Sequence, residues 1–269
     1  MTKPQRVNLV AGDAPAALAL AKRLAGAGEA VLLARPEGDP DRDALSVAMP
    51  GLPVWSRGYG AWENAAGAVA EARAAFGGLD ALVHAPLSVS SGGILAAEPW
   101  QAEAALRGPL FQAYYLAAAA APVLRRDGTI LLIGDASGLF GAPDDAARSA
   151  ANAGLHGLML ALARELAPRG LRANLLLPLP GDAADGGAPE ATATVAAWLC
   201  AADADGPTGQ VFLCRNNALW LLGQAGNETR RIARLGRPWD ISSLRQATRE
   251  AFSPYYFQAG VEANHLAQR

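Results

Sequence analysis

Short apolar runs alternate with longer alanine-rich segments along this chain, and that rhythm constrains its fold more than any other feature. The runs Val7 to Val10, Ala30 to Ala34, Ala81 to His84, Ile130 to Ile133, Ala173 to Leu177 and Val211 to Cys214 have the length and composition of buried strands. Between them, the segments of about Ala16 to Ala27, Ala61 to Phe76, Trp100 to Leu124, Ala147 to Ala167 and Ala191 to Ala201 read as helices. Strands and helices in alternation imply βαβ units. Right-handed crossovers then give a doubly wound, mostly parallel sheet flanked by helices, an α/β Rossmann-like fold in a single domain. Any ligand is expected at the carboxyl ends of the strands. With 269 residues, 51% of them hydrophobic, the chain can bury one large core.

The domain is expected over residues 1–224. Within it GDAADGGAPE, residues 181–190, is dense in Gly, Ala and Asp and reads as a mobile loop. After the last strand the sequence changes character: NETRRIARLGRPWDISSLRQATREAFSPYYFQ is rich in arginine and aromatics. Residues 225–269 are therefore expected to form a C-terminal extension that wraps the domain or a partner subunit. Ile241 to Phe252 suits one amphipathic helix, with Asp240 or Ser242 as its cap.

Several function classes are disfavoured. Twenty-three basic residues against twenty-five acidic ones leave a net charge of −2 with no long Lys/Arg run, which argues against nucleic acid. The start, MTKPQRVNLV, has no apolar targeting stretch, and the alanine-rich run Tyr114 to Leu124 is too short to span a bilayer, so no membrane role and a cytoplasmic location are expected. Cys200 and Cys214 lie in apolar segments and read as buried thiols, while His84, His156 and His265 show no ligand spacing. No metal is expected.

Over residues 5 to 222 the chain resembles the short-chain dehydrogenase/reductase family. The most specific stretch is GTILLIGDASGLFGAPDDAARSAANAGLHGLMLALARELAPRGLRANLLLPLP, residues 128–180, whose ARELAPRGLRAN segment with Asn174 and Pro178 is similar to the family's helix-to-strand connection. PTGQVFLC, residues 207–214, is similar to the family's final strand and the turn before it. The resemblance implies a catalytic set: a serine after the strand ending here at Ile133, then Tyr-x-x-x-Lys on the next helix, with an asparagine on the preceding helix holding a water. Those positions read Asp135, Arg148, Asn152 and Ala105. The spacing survives and the chemistry does not. A guanidinium with a pKa above about 12 is a poor proton donor near neutrality, and an uncharged amide cannot depress a neighbour's pKa.

The cofactor elements that the resemblance implies are also altered. The turn in LVAGDAPAALALAKRLAGAG, residues 9–28, stands where the family has Thr-Gly-x-x-x-Gly-x-Gly, and its three glycine positions read Gly12, Ala16 and Leu18. Pro15 removes one N–H that a pyrophosphate would use. The family's Asn-Asn-Ala-Gly reads HAPL from His84 to Leu87, and the acidic residue expected about twenty residues past the glycines is replaced by Arg35. Alone, Arg35 suggests a 2′-phosphate and hence NADP; beside a degraded turn, a solvated surface arginine is expected. No cofactor is expected in this chain.

Asp135 is similar to the aspartate that pteridine reductases of the family carry at the serine position, but those enzymes keep the tyrosine and lysine. A structural role, capping the following turn, is the expectation for Asp135, and a satisfied core position for His84. The expected function is a non-catalytic subunit that pairs with an intact family member through helices 100–124 and 147–167, in a hetero- or homo-oligomer where NAD or NADP sits in the partner. The family packs these helices between subunits as a four-helix bundle. RLGRPWDISSLRQA loosely resembles the tail of hydroxyacyl-CoA dehydrogenases, including those in which an intact and a degenerate subunit form one enzyme, as in anaerobic benzylsuccinate degradation. The alternatives are an active NADP-dependent reductase using Asp135 or His84, and a non-catalytic small-molecule sensor.

Overall fold

The computed structural model describes residues 6–40, 45, 49–87, 90, 92–179, 188–202, 207–215 and 218–222. The chain divides into two compact units, Met1–Leu222 and Gly223–Arg269, and the described residues all belong to the first. The extension expected over 225–269, with its Ile241 to Phe252 helix, lies outside the described residues.

Among the described residues, eight strands form one sheet: β1 Val7–Ala11, β2 Ala30–Ala34, β3 Val54–Trp55, β4 Ala81–His84, β5 Thr129–Ile133, β6 Arg172–Pro178, β7 Val211–Arg215 and β8 Ala218–Leu222. Their order is β3-β2-β1-β4-β5-β6-β7-β8, parallel throughout except for the antiparallel edge strand β8. The chain steps one way from β1 to β2 and the other way from β1 to β4, so a crevice opens at the carboxyl ends of these three strands. The inner strands are apolar without alternation because both sheet faces are covered. One face carries Leu9, Leu82, Ile130, Leu132 and Leu175 beneath helices α2 Trp62–Phe76, α4 Gln112–Ala120 and α6 Ala146–Leu166. The other carries Val10, Val83, Leu131 and Leu176 beneath α1 Pro15–Gly26 and α7 Ala188–Cys200, and Cys200 and Cys214 are buried there.

The expected single helix over 100–124 is three pieces: α3 Pro99–Leu106, a π-helical turn Arg107–Phe111, and α4. Pro109 is the cause. It donates no N–H, and its ring would clash with the carbonyl of Ala105, so the backbone widens by one residue to pass it. A short helix, α5 Ser137–Phe140, follows β5, and β3 and β8 add edges beyond the expected strands. The expected loop 181–190 yields its last residues to α7, which begins at Ala188, while 181–187 lie outside the described residues.

Candidate functional site

The site is built at the carboxyl ends of β1, β4 and β5, where the strands hand the chain to α1, to α3 and, through α5, to α6. Asp135 follows β5 by two residues. Arg148 and Asn152 sit one turn apart on α6, and Asp145 stands at that helix's N-cap. Four side chains close on one another. The Asp135 backbone N–H donates to Asn152 Oδ1 at 2.9 Å, and Asn152 Nδ2 donates back to Asp135 Oδ2 at 3.2 Å and to the Arg148 carbonyl at 3.0 Å. Asp135 Oδ1 accepts the Ser137 N–H at 2.8 Å, which fixes the turn into α5. Arg148 Nη1 reaches Asp135 Oδ2 at 3.1 Å while its Nε donates to Asp145 Oδ2 at 2.6 Å. Gly138 permits this arrangement, since a Cβ there would collide with the Asn152 backbone.

This network holds Asp135, Arg148 and Asn152 in place. Both Asp135 oxygens accept hydrogen bonds. Arg148 is 29% exposed; burial opposes its charge, but the contacts with Asp145 and Asp135 outweigh this and raise its pKa above the ordinary value. Ala105 contributes a buried methyl at the end of α3 and no polar atom. Asp145, which completes the network, has a sequence signal not used above: an acid three residues before Arg148, where one helical turn brings them together.

The β1 turn is closed by the chain itself. Pro15 occupies the first turn of α1, where a missing N–H is tolerated, and Ala14 at the N-cap has no side-chain oxygen. The Ala14 N–H donates to the Ala85 carbonyl at 3.3 Å, the Ala17 N–H to the Ala14 carbonyl at 2.9 Å, and the Gly12 N–H to the Ala34 carbonyl at 3.0 Å. Gly12 lies so close to Ala85 that a Cβ would overlap its carbonyl. Asp13 Oδ1 accepts the Leu87 N–H at 2.6 Å, placing a carboxylate in the turn. Ala16 is buried, and Leu18 packs half-buried against the α7 face of the core. These residues fit a pyrophosphate poorly: Pro15 supplies no N–H, the Ala14 and Ala17 N–H groups are taken up within the chain, and Asp13 places a carboxylate in the turn.

Arg35 is not a solvated surface residue. It is buried beside the turn, with Nη1 donating to the Gly12 carbonyl at 3.0 Å and Nε and Nη2 on the Asp39 carboxylate at 2.6 and 3.1 Å. Burial works against its charge, and Asp39 overcomes this to raise its pKa. The reason lies in the next four residues: Gly38, at φ 73°, turns the chain so that Asp39 comes back under the guanidinium.

His84 is a core residue without being a satisfied one. It is fully buried, its ring edge-on to Tyr59 at 6.0 Å, and neither ring nitrogen nor the Tyr59 hydroxyl has a hydrogen-bond partner of good geometry. Burial lowers its pKa to about 4, against a weaker opposing pull from Gln112, and raises that of Tyr59. A neutral imidazole sealed from solvent is badly placed for proton transfer. Among the described residues no group of three His, Cys, Asp or Glu could hold a metal ion, and no helix is long and apolar enough to cross a membrane.

A family model described as enoyl-(acyl carrier protein) reductase matches residues 10–186. The chain belongs to the short-chain dehydrogenase/reductase family. Among solved members, a short chain dehydrogenase from Mycobacterium avium is 25% identical with a TM-score of 0.79, the match covering 91% of this chain and 94% of that one. A short chain dehydrogenase from Burkholderia cenocepacia J2315, solved in complex with NADP, is 22% identical with a TM-score of 0.70 over 80% of this chain and 98% of that one. A dehydrogenase/reductase from Sinorhizobium meliloti 1021 is 24% identical with a TM-score of 0.68 over 78% and 93%. No curated protein matches. In this short-chain dehydrogenase/reductase chain the family's fold carries a cleft in which Asp135, Arg148, Asn152 and Asp145 bind one another and Asp39 binds Arg35.

Proposed function

We propose that the chain is a catalytically silent subunit that pairs, in the cytoplasm, with an intact member of its family in a heteromeric oxidoreductase, and that it takes no NAD or NADP itself. The observation that carries this reading is the closed network of Asp135, Arg148, Asn152 and Asp145 at the positions where the family's acid–base chemistry resides. The alternative of an active reductase loses support from both of its candidate groups. Asp135 is engaged by Ser137, Arg148 and Asn152, and His84 is sealed and held neutral.

The pairing surface we assign is the outer face of α3, the π-helical turn, α4 and α6. Trp100 and Tyr114 are 67% and 57% exposed there, and Leu110, Phe111, Tyr114, Tyr115 and Leu158 line an apolar groove of about 370 Å³. Exposed aromatics clustered around a groove are what a protein partner buries. The substrate of the complex is an acyl thioester in this reading: the family description names an acyl carrier protein, and the tail resembles that of hydroxyacyl-CoA dehydrogenases.

The test is to purify the chain alone and co-expressed with an intact family member from the same organism, then measure native mass and turnover of hydroxyacyl-CoA substrates. A mixed oligomer that turns over while this chain alone does not supports the reading. Turnover by this chain alone sinks it, and a homo-oligomer that ignores the relative replaces the heteromer with self-association.

A further inference from the structure

The loop after β2 carries a buried ion pair whose position and geometry say more than that the cleft is altered. Arg35 and Asp39 side chains are 5% and 6% exposed. The guanidinium meets the carboxylate at two points, Nε to Oδ2 and Nη2 to Oδ1, while Nη1 holds the Gly12 carbonyl on the β1 turn. Asp39 reaches it only because Pro36, Glu37 and Gly38 form a tight reversal, in which the Asp39 N–H approaches the Pro36 carbonyl at 3.4 Å and Gly38 takes a positive φ.

We propose that Asp39 is an internal anion that occupies the Arg35 guanidinium and keeps closed a site that would otherwise accept a phosphate group. This rests on the reading that the chain binds no dinucleotide, and it names the residue that closes the Arg35 side of the cleft, as the β1 turn closes the other. A planar guanidinium presents a fork of donors that fits a carboxylate or a phosphate equally well. The two anions compete for one place. A buried guanidinium that loses its carboxylate is left desolvated with no hydrogen-bonded anion, Asp13 acting on it only through space, so the protein is weakened until another anion enters. Supplying a phosphate to a chain without Asp39 should therefore restore stability, and supplying it to the native chain should not.

The experiment is thermal unfolding of the full chain as wild type, Asp39→Ala, Asp39→Asn and the double variant Arg35→Met with Asp39→Ala, each with NAD, NADP and inorganic phosphate. The wild-type midpoint is expected to ignore all three. Asp39→Ala is expected to unfold several degrees lower and to recover at least half of that loss with NADP or phosphate but not with NAD. The double variant is expected to show no recovery. If Asp39→Ala does not fold, Asp39→Asn preserves the shape, removes the charge and answers the same question. A wild-type midpoint that rises with NAD or NADP overturns both this proposal and the reading beneath it. A folded Asp39 variant that responds to none of the three ligands, or equally to NAD and NADP, overturns this proposal alone.

Discussion

The cleft at the carboxyl ends of the strands and the outer face of α3, α4 and α6 have opposite characters. In the cleft, charged groups are numerous and matched: Asp135 and Asp145 on Arg148, Asp39 on Arg35, Asp13 on the Leu87 N–H. On the helix face, apolar groups are large and unmatched, with Trp100, Phe111 and Tyr114 open to solvent. An active site needs polar groups left partly free for a ligand, and an interface needs apolar surface left free for a partner. In this molecule the large apolar surface left open to solvent lies on the helices. In the reading proposed above, association and not proton transfer is what the fold is kept for.

Four measurements break or sharpen that contrast. The largest effect concerns His84, sealed near the cleft. Its unfolded imidazole takes up a proton near pH 6.5 while the folded one waits until about pH 4, so between those values the unfolded state binds more protons and stability falls as pH falls. The full loss is about 3 kcal/mol, absent above pH 6.5 and complete below pH 4. Urea unfolding across that window should show it, and His84→Phe should flatten the slope; an unchanged slope would mean that the ring reaches solvent.

The next effect lies on the helix face. Tyr114→Asp should weaken association by about 2 kcal/mol or more, roughly 30-fold in Kd, with the circular dichroism spectrum unchanged. Sedimentation velocity reads this directly, and an unaltered oligomer places the interface elsewhere. Gly12→Ala comes third. Its Cβ would press on the Ala85 carbonyl, for a cost of about 2 kcal/mol in chemical denaturation. A neutral result would show a turn looser than the hydrogen bonds indicate. The smallest is Arg148→Met, which strips a partner from the largely buried Asp145 carboxylate. Because Arg148 is 29% exposed and screened by solvent, the expected loss is only about 1 kcal/mol. No loss at all would show that the network does not brace the cleft.

Much of the scaffold was legible because its signals are local. Continuous apolar runs such as Ala30–Ala34 and Ala81–His84 coincide with β2 and β4. The break in the expected helix over 100–124 was also written in the sequence, since Pro109 in a helix interior forces some deviation there. Two edge strands escaped for different reasons. Val54–Trp55 is shorter than any useful pattern, whereas β8 follows Asn216-Asn217 between two apolar runs, a hairpin signal that went unused. At the site the residue identities were legible and their mutual contacts were not. Position by position, setting Asp135, Arg148 and Asn152 against the family's catalytic set identifies which side chains stand there. Their mutual bonding depends on how β5 lies against α6, which no local pattern fixes. Arg35 misled for the same reason: the burial of a cation depends on its partner, and Asp39 is brought to it by a turn.

The most direct test of a silent subunit is cofactor stoichiometry by native mass spectrometry on the co-expressed heteromer, with each chain identified by its mass. One NAD or NADP for each intact chain, and none on this one, is the expected result. A dinucleotide bound to this chain, alone or in the heteromer, would contradict it.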